Sequence, residues 1–184
     1  MAEPLFKQLE KLQQEFPGLP PVEAWNPDLC GDMDLVIQAD GHWIHEGSEI
    51  KRQPLVKLFA SILKREGRHY YLVTPVEKWR IRVEDVPFLI TQAAREGDQI
   101  LLTTNTGEVV SLDKDHPLLL KPFGDPPQPI PYIDVRPGLQ GRMSRDVYYQ
   151  LIDWAEPRAP QEPPARLCQL WLKSNGEEFL LGEY

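Results

Sequence analysis

The residues best equipped for chemistry in this chain are basic, and the chemistry they suit is anion binding. Residues 51–82 hold nine basic groups (Lys51, Arg52, Lys57, Lys64, Arg65, Arg68, Lys78, Arg80 and Arg82) against two acids, Glu66 and Glu77. The rest of the 184 residues carries 11 basic and 26 acidic groups, so one basic surface rides on an acidic body. That distribution suits a small anion or an acidic partner. The overall charge of −8 argues against sequence-independent binding to duplex DNA, which needs many neutralised phosphates. Arg80 and Arg82 alternate on one strand face, about 6.6 Å apart at the usual rise per residue. Their planar forks can share one phosphate or hold two neighbouring ones; the plain alternative is two solvated arginines. Thr74-Pro75-Val76-Glu77-Lys78 is a corner followed by an acid and a base. It reads either as a functional loop or as a tight turn with Glu77 paired to Lys78 or Arg80.

Other chemistries leave fainter traces. His42, His45 and Glu46 resemble metal ligands, but strand residues three apart face opposite ways, so these are read as structural histidines. His69 and His116 have no local partner. There is no GxSxG, HExxH or Gly-rich phosphate loop, and no carboxylate pair is singled out by spacing. The reading leans away from an enzyme and implies no cofactor or metal. Cys30 and Cys168 lie outside any CxxC and read as reduced thiols. MAEPLFKQLE lacks the pattern of a secretory signal and no apolar run reaches the length of a membrane span, so the expected location is the cytoplasm.

The elements that must position these groups are set by periodicity. Leu5, Leu9, Leu12 and Phe16 form one stripe of a short helix over 4–16. Residues 17–33 read as irregular, with Trp25 packing onto the domain after it. Leu35 to Ile37 and Trp43 to His45 read as a hairpin around a two-residue Asp40-Gly41 turn. Residues 54–66 read as a helix with Pro54 in the first turn and Gly67 as C-cap, leaving Lys57, Lys64 and Arg65 on its solvated side. Strands are expected at 70–73, 78–83, 88–92, 99–104, 109–110 and 132–135. Residues 117–131 and 156–164 read as Pro-rich loops. A second helix spans 145–155 with Ser144 as N-cap, and Asn175-Gly176 turns a closing hairpin.

Two segments share an order of strand, glycine, arginine, helix and strand. One runs from Trp43 through Gly47, Arg52 and the helix to Tyr70. The other runs from Tyr132 through Gly138, Arg145 and its helix to Leu167. The fold class is therefore α+β, with two β-rich halves, each with one packed helix, arising by internal duplication. The expected divisions are a lead-in over 1–24, an N-terminal half over 25–87 and a C-terminal half over 88–184. The junction of two such halves is a natural cleft.

At these residues the chain resembles a bacterial family without assigned activity, domain of unknown function 1285. The matching pieces are Asp40-Gly41-His42-Trp43, Gly47 with Arg52, LVKLFASIL (55–63), YYLVTPVEKWRIRVEDVPF (70–88), Thr104-Asn105 and YIDVRPGLQGRMSRDVYYQL (132–151). The resemblance implies a duplicated α+β core whose C-terminal half is superficially pleckstrin-homology-like. It also implies a nucleotide-like ligand between the halves and a role in signalling. On this reading Arg52, Lys78, Arg80 and Arg136 contact the anion. Thr74, Glu77 and Asn105 hydrogen-bond the ligand, and Trp43 or Tyr132 stacks on it. The alternatives are a protein-interaction module that docks an acidic partner through the basic face, and an enzyme whose acid and base come from separate loops.

Overall fold

The computed structural model describes residues 2–160 and 167–184, with side chains from Leu5 onward except that of Phe6. The chain divides into two compact units, Met1–Asp85 and Val86–Tyr184.

In the first unit, α1 (Ala2–Glu15) buries Leu5, Leu9 and Leu12, the stripe that its spacing predicts. A 3-10 turn (Val22–Ala24) leads to β1 (Leu29–Ile37), β2 (Trp43–His45) and β3 (Ser48–Glu49). Then come α2 (Gln53–Ser61), β4 (Leu63–Glu66), β5 (His69–Val73) and β6 (Lys78–Val83). These six strands form one sheet in the order β3-β2-β1-β6-β5-β4.

Several expectations are corrected here. β1 begins at Leu29, inside the stretch expected to be irregular. Its turn into β2 holds three residues, Ala39-Asp40-Gly41, closed by Gln38 N–H on His42 O at 2.8 Å, with Gly41 at φ 91. The two-residue turn is the next one, Glu46-Gly47, with φ values of 49 and 81. The helix expected over 54–66 stops at Ser61, and Leu63–Glu66 pairs with β5. Short apolar runs do not distinguish helix from strand; here Ile62 and Leu63 are buried and Leu63 pairs with Leu72 on β5. Gly67, with φ 60, therefore turns a hairpin instead of capping a helix.

The second unit opens with β7 (Phe88–Glu96), β8 (Gln99–Thr104) and β9 (Val109–Ser111). β10 (Leu118–Phe123), β11 (Gln128–Arg136) and β12 (Leu139–Met143) complete a sheet ordered β10-β11-β12-β7-β8-β9. The Pro-rich stretch 117–131 is thus mostly a hairpin. Pro122 lies on an edge strand, and Pro129 and Pro131 precede Tyr132, the first β11 residue paired with β12. Their missing N–H groups leave no ladder bond unmade on that side. α3 (Arg145–Trp154) starts at Ser144, whose Oγ accepts from Val147 N–H at 3.3 Å. It buries Val147 and Leu151 against β7, where Gln150 Nε2 donates to Ala93 O at 3.1 Å. A three-stranded sheet of β13 (Glu156–Arg158), β14 (Gln169–Ser174) and β15 (Glu177–Glu183) closes the unit around Asn175-Gly176. β13 occupies the start of the expected 156–164 connection; residues 161–164 of it lie outside the described residues.

Both six-stranded sheets follow one path: two antiparallel three-strand meanders joined by a parallel pair, β1 with β6 and β7 with β12. The duplication is therefore clearest when β1–β6 is laid on β7–β12. The sequence alignment of Arg52 on Arg145 catches a second likeness, since each helix leads into a three-strand meander.

Leu151 is fully buried in α3, whereas Ser144 contributes one capping bond. Urea unfolding should therefore show a loss of about 2–5 kcal/mol for Leu151→Ala. The same measurement on Ser144→Ala should show only about 0.5–2 kcal/mol.

Candidate functional site

One face of the first unit's sheet is built from charge. Across the strands Lys64, Tyr71, Arg80 and Asp32 stand in register on β4, β5, β6 and β1. Arg80 donates through Nε and Nη2 to the two oxygens of Asp32, at 2.7 and 3.0 Å. This paired hydrogen bond, with the guanidinium charge and that of His69 behind it, holds the Asp32 carboxyl below its ordinary value and raises Arg80. Further along, Lys78 Nζ donates to Glu66 Oε2 at 2.6 Å and sits 4.4 Å above the Tyr71 ring. Lys64 Nζ reaches Trp25 O at 2.9 Å and lies 3.6 Å from Glu66 Oε1. Lys64 and Lys78 are only 7% and 9% exposed, so the expectation that Lys64 lies on a solvated helix face is corrected. Two buried ammonium groups share one carboxylate, which is the condition under which burying them is tolerable.

The centre of this sheet is not closed. Asp32 stands opposite Arg80, but the next matched pair is Val36 opposite Arg82. Residues 33–35 of β1 therefore face the single residue Ile81 on β6, and β1 bulges out of the regular ladder. A cavity of about 300 Å3 opens there, lined by Asp32, Asp34, His69, Arg80 and Arg82 together with Met33, Leu35, Val36 and Ile81. Such bulges re-aim side chains and recur beside functional sites. Arg82 and Asp34 are both exposed, and neither has a side-chain partner among the described residues.

The other residues singled out by sequence fall in different places. Thr74 is fully buried and its Oγ1 accepts from Val76 and Glu77 N–H, so it fastens its own turn. Glu77 does not pair with Lys78 or Arg80; its Oε2 is buried without a partner among the described residues. Arg52 is exposed at the N-cap of α2 and makes no capping bond. Trp43, 1% exposed, stacks on Phe59 at 6.4 Å inside the core, and Tyr132, also 1% exposed, lies under Lys121. Neither ring offers a free face for stacking. In the second unit Asn105 and Arg136 engage the adjacent residues Leu89 and Phe88. Asn105 exchanges two hydrogen bonds with Leu89, and Arg136 lies 5.0 Å over Phe88 while donating to Glu108 at 3.1 Å. Burial lowers the Arg136 pKa and Glu108 opposes that shift. His42 is held by Asp40 at 3.0 Å across its turn. Among the described residues no three His, Cys, Asp or Glu side chains are grouped to hold a metal, and no helix is long and apolar enough to cross a membrane.

Residues 20–86 match the N-terminal domain of a family described as domain of unknown function (DUF1285), and residues 87–181 match the C-terminal domain of the same family. The chain belongs to the DUF1285 family. A DUF1285 protein from Silicibacter pomeroyi DSS-3, known from a crystal structure, is 36% identical over 91% of this chain and 90% of that one, with a TM-score of 0.80. A second crystal structure, of a DUF1285 protein from Shewanella baltica OS155, is 31% identical and covers 66% of this chain and 91% of that one, with a TM-score of 0.55. No curated protein matches the chain.

What sequence reading misses in this DUF1285 chain is the acidic half of the site. Asp32 and Asp34 lie in the stretch expected to be irregular, and the partner of Asp32 stands almost fifty positions away. The alternating Asp32-Met33-Asp34 is the available signal, since it fits a strand.

Glu66 links two buried lysines, and the Lys78 hydrogen bond holds its carboxyl below the ordinary 4.5. A carboxyl group with a lower pKa folded than unfolded stabilises above its unfolded value and loses that contribution as pH falls through the folded one. At neutral pH Glu66→Gln should cost about 1–2 kcal/mol, less than a fully buried pair because the carboxylate is partly solvated. In urea titrations at a series of pH values, the gap between wild type and variant should narrow below the ordinary glutamate value.

Proposed function

We propose that this DUF1285 chain is a binding module for a small anionic ligand, nucleotide-like by preference, and that it serves signalling rather than catalysis. The observation that carries this reading is the bulged β1/β6 seam, a cavity lined by Arg82, an exposed arginine without a side-chain partner among the described residues. Arg80 lies beside it with Nε and Nη2 committed to Asp32 and Nη1 without a partner among the described residues. Two guanidinium groups on one strand face suit a phosphate, which accepts planar, paired donors. Lys78 and Arg136 contribute less, because Glu66 and Glu108 already neutralise them. Catalysis gains little support from the two carboxylates in the cavity. Asp32 is kept ionised by Arg80, which is the state of an ion pair and not of a proton donor.

Thermal-shift measurements on the full chain with inorganic phosphate and 5′-nucleotides test the reading. Binding should raise the melting temperature, with about 2.7 kcal/mol of stabilisation at a hundredfold excess over Kd. The rise should shrink at high salt. Arg82→Ala should cut the rise at the same ligand concentration, as a Kd weakened on the order of tenfold requires, and Arg52→Ala, outside the cavity, should keep it in full. A rise undiminished by Arg82→Ala, or no rise with any of these ligands, ends the reading. Stabilisation by acidic peptides alone would favour the protein-docking alternative.

A further inference from the structure

The cavity at the β1/β6 seam carries charge of both signs, and this narrows the ligand. Asp32 and Arg80 neutralise each other through two hydrogen bonds. What remains at the rim is Arg82 on one strand and Asp34 on the other, both exposed and both without a side-chain partner among the described residues. A ligand that is only an anion uses Arg82 and is repelled by Asp34. A ligand with an acidic group at one end and N–H donors at the other uses both. Arg82 stands opposite Val36, two residues beyond Asp34, and the bulge packs Asp32 to Val36 into the length of Arg80 to Arg82, so the two side chains are rooted less than about 7 Å apart along the strand direction. A volume of about 300 Å3 lies at the small end of ligand pockets, the size of one mononucleotide and not of a dinucleotide.

An ionised carboxylate is an acceptor with two oxygens side by side. Guanine presents two adjacent donors, N1–H and N2–H, that match those oxygens. Adenine places its N6–H donor beside the N1 lone pair, which faces a carboxylate unfavourably. We infer that the β1/β6 cavity takes a guanine mononucleotide, with the phosphate on Arg82 and the guanine edge on Asp34. The inference rests on the anion-binding reading above and adds the identity of the base.

Isothermal titration calorimetry of the full chain with GMP, AMP, guanosine and inorganic phosphate decides it. GMP should bind at least about fivefold tighter than AMP, the discrimination expected of one paired base contact. Asp34→Asn should abolish that preference and leave phosphate binding in place. Arg82→Ala should weaken both nucleotides on the order of tenfold while leaving guanosine unchanged. Both positions are exposed, and circular-dichroism melts of the variants should match wild type. Equal binding of AMP and GMP, or a preference untouched by Asp34→Asn, overturns the guanine assignment while leaving anion binding standing. Absence of binding by GMP, AMP and phosphate alike overturns both.

Discussion

Parallel strands cannot be joined by a tight turn, and each six-stranded sheet of this protein has a parallel pair at its centre. The chain must therefore leave the first strand of each sheet, build one meander outward, cross over, and build a second meander back toward the seam. That requirement sets the strand orders of both sheets. It also fixes what each crossover contains. In the first unit α2 makes the crossing and covers the sheet, with Phe59 stacked on Trp43. In the second unit the crossing from β9 to β10 is a short loop, and α3 comes only after the sheet is complete.

The basic window of the sequence does not survive folding as one positive surface. Lys64 and Lys78 share Glu66, and Arg80 is taken by Asp32, a residue outside the window. A local charge balance along the chain counts neighbours in sequence, but a sheet pairs residues by register, and registers bring in carboxylates from far away. The same holds for Arg136, whose partner Glu108 comes from another turn. The partners also differ in worth. Arg136 and Glu108 are largely buried, so loss of either strands a charge, whereas Arg80 and Asp32 are exposed and screened.

Legibility in the sequence tracks the locality of the cause. The bounds of β6 and β8, the Ser144 cap and the Asn175-Gly176 turn depend on residues within a few positions, and each is legible from the sequence. β4 reads as helix because Ile62 and Leu63 satisfy either period, and its true partner, β5, appears only once the hairpin forms. The β10–β11 hairpin is hidden by its prolines, which are tolerated only because one strand is an edge and the other is unpaired on its far side there. The cavity is the least legible feature. Its cause is a slip between strands some forty-five residues apart, and nothing local in either strand announces it.

The two parallel seams show how one architecture yields both a cavity and a closed joint. At β7/β12 the register runs without a break through Gly141 opposite Phe88, Arg142 opposite Leu89 and Met143 opposite Ile90. Gly141 makes this closure possible, since an added Cβ would sit 2.8 Å from Ile90 Cδ1 and 3.4 Å from Phe88 Cβ. At β1/β6 the three residues that face a single partner are Met33, Asp34 and Leu35, with the exposed charge of Asp34 between two apolar side chains. Charged residues resist burial between strands and favour a solvated opening. The second copy of the sheet thus spends its seam on packing, while the first breaks its register and leaves a cavity lined by charged side chains beside it.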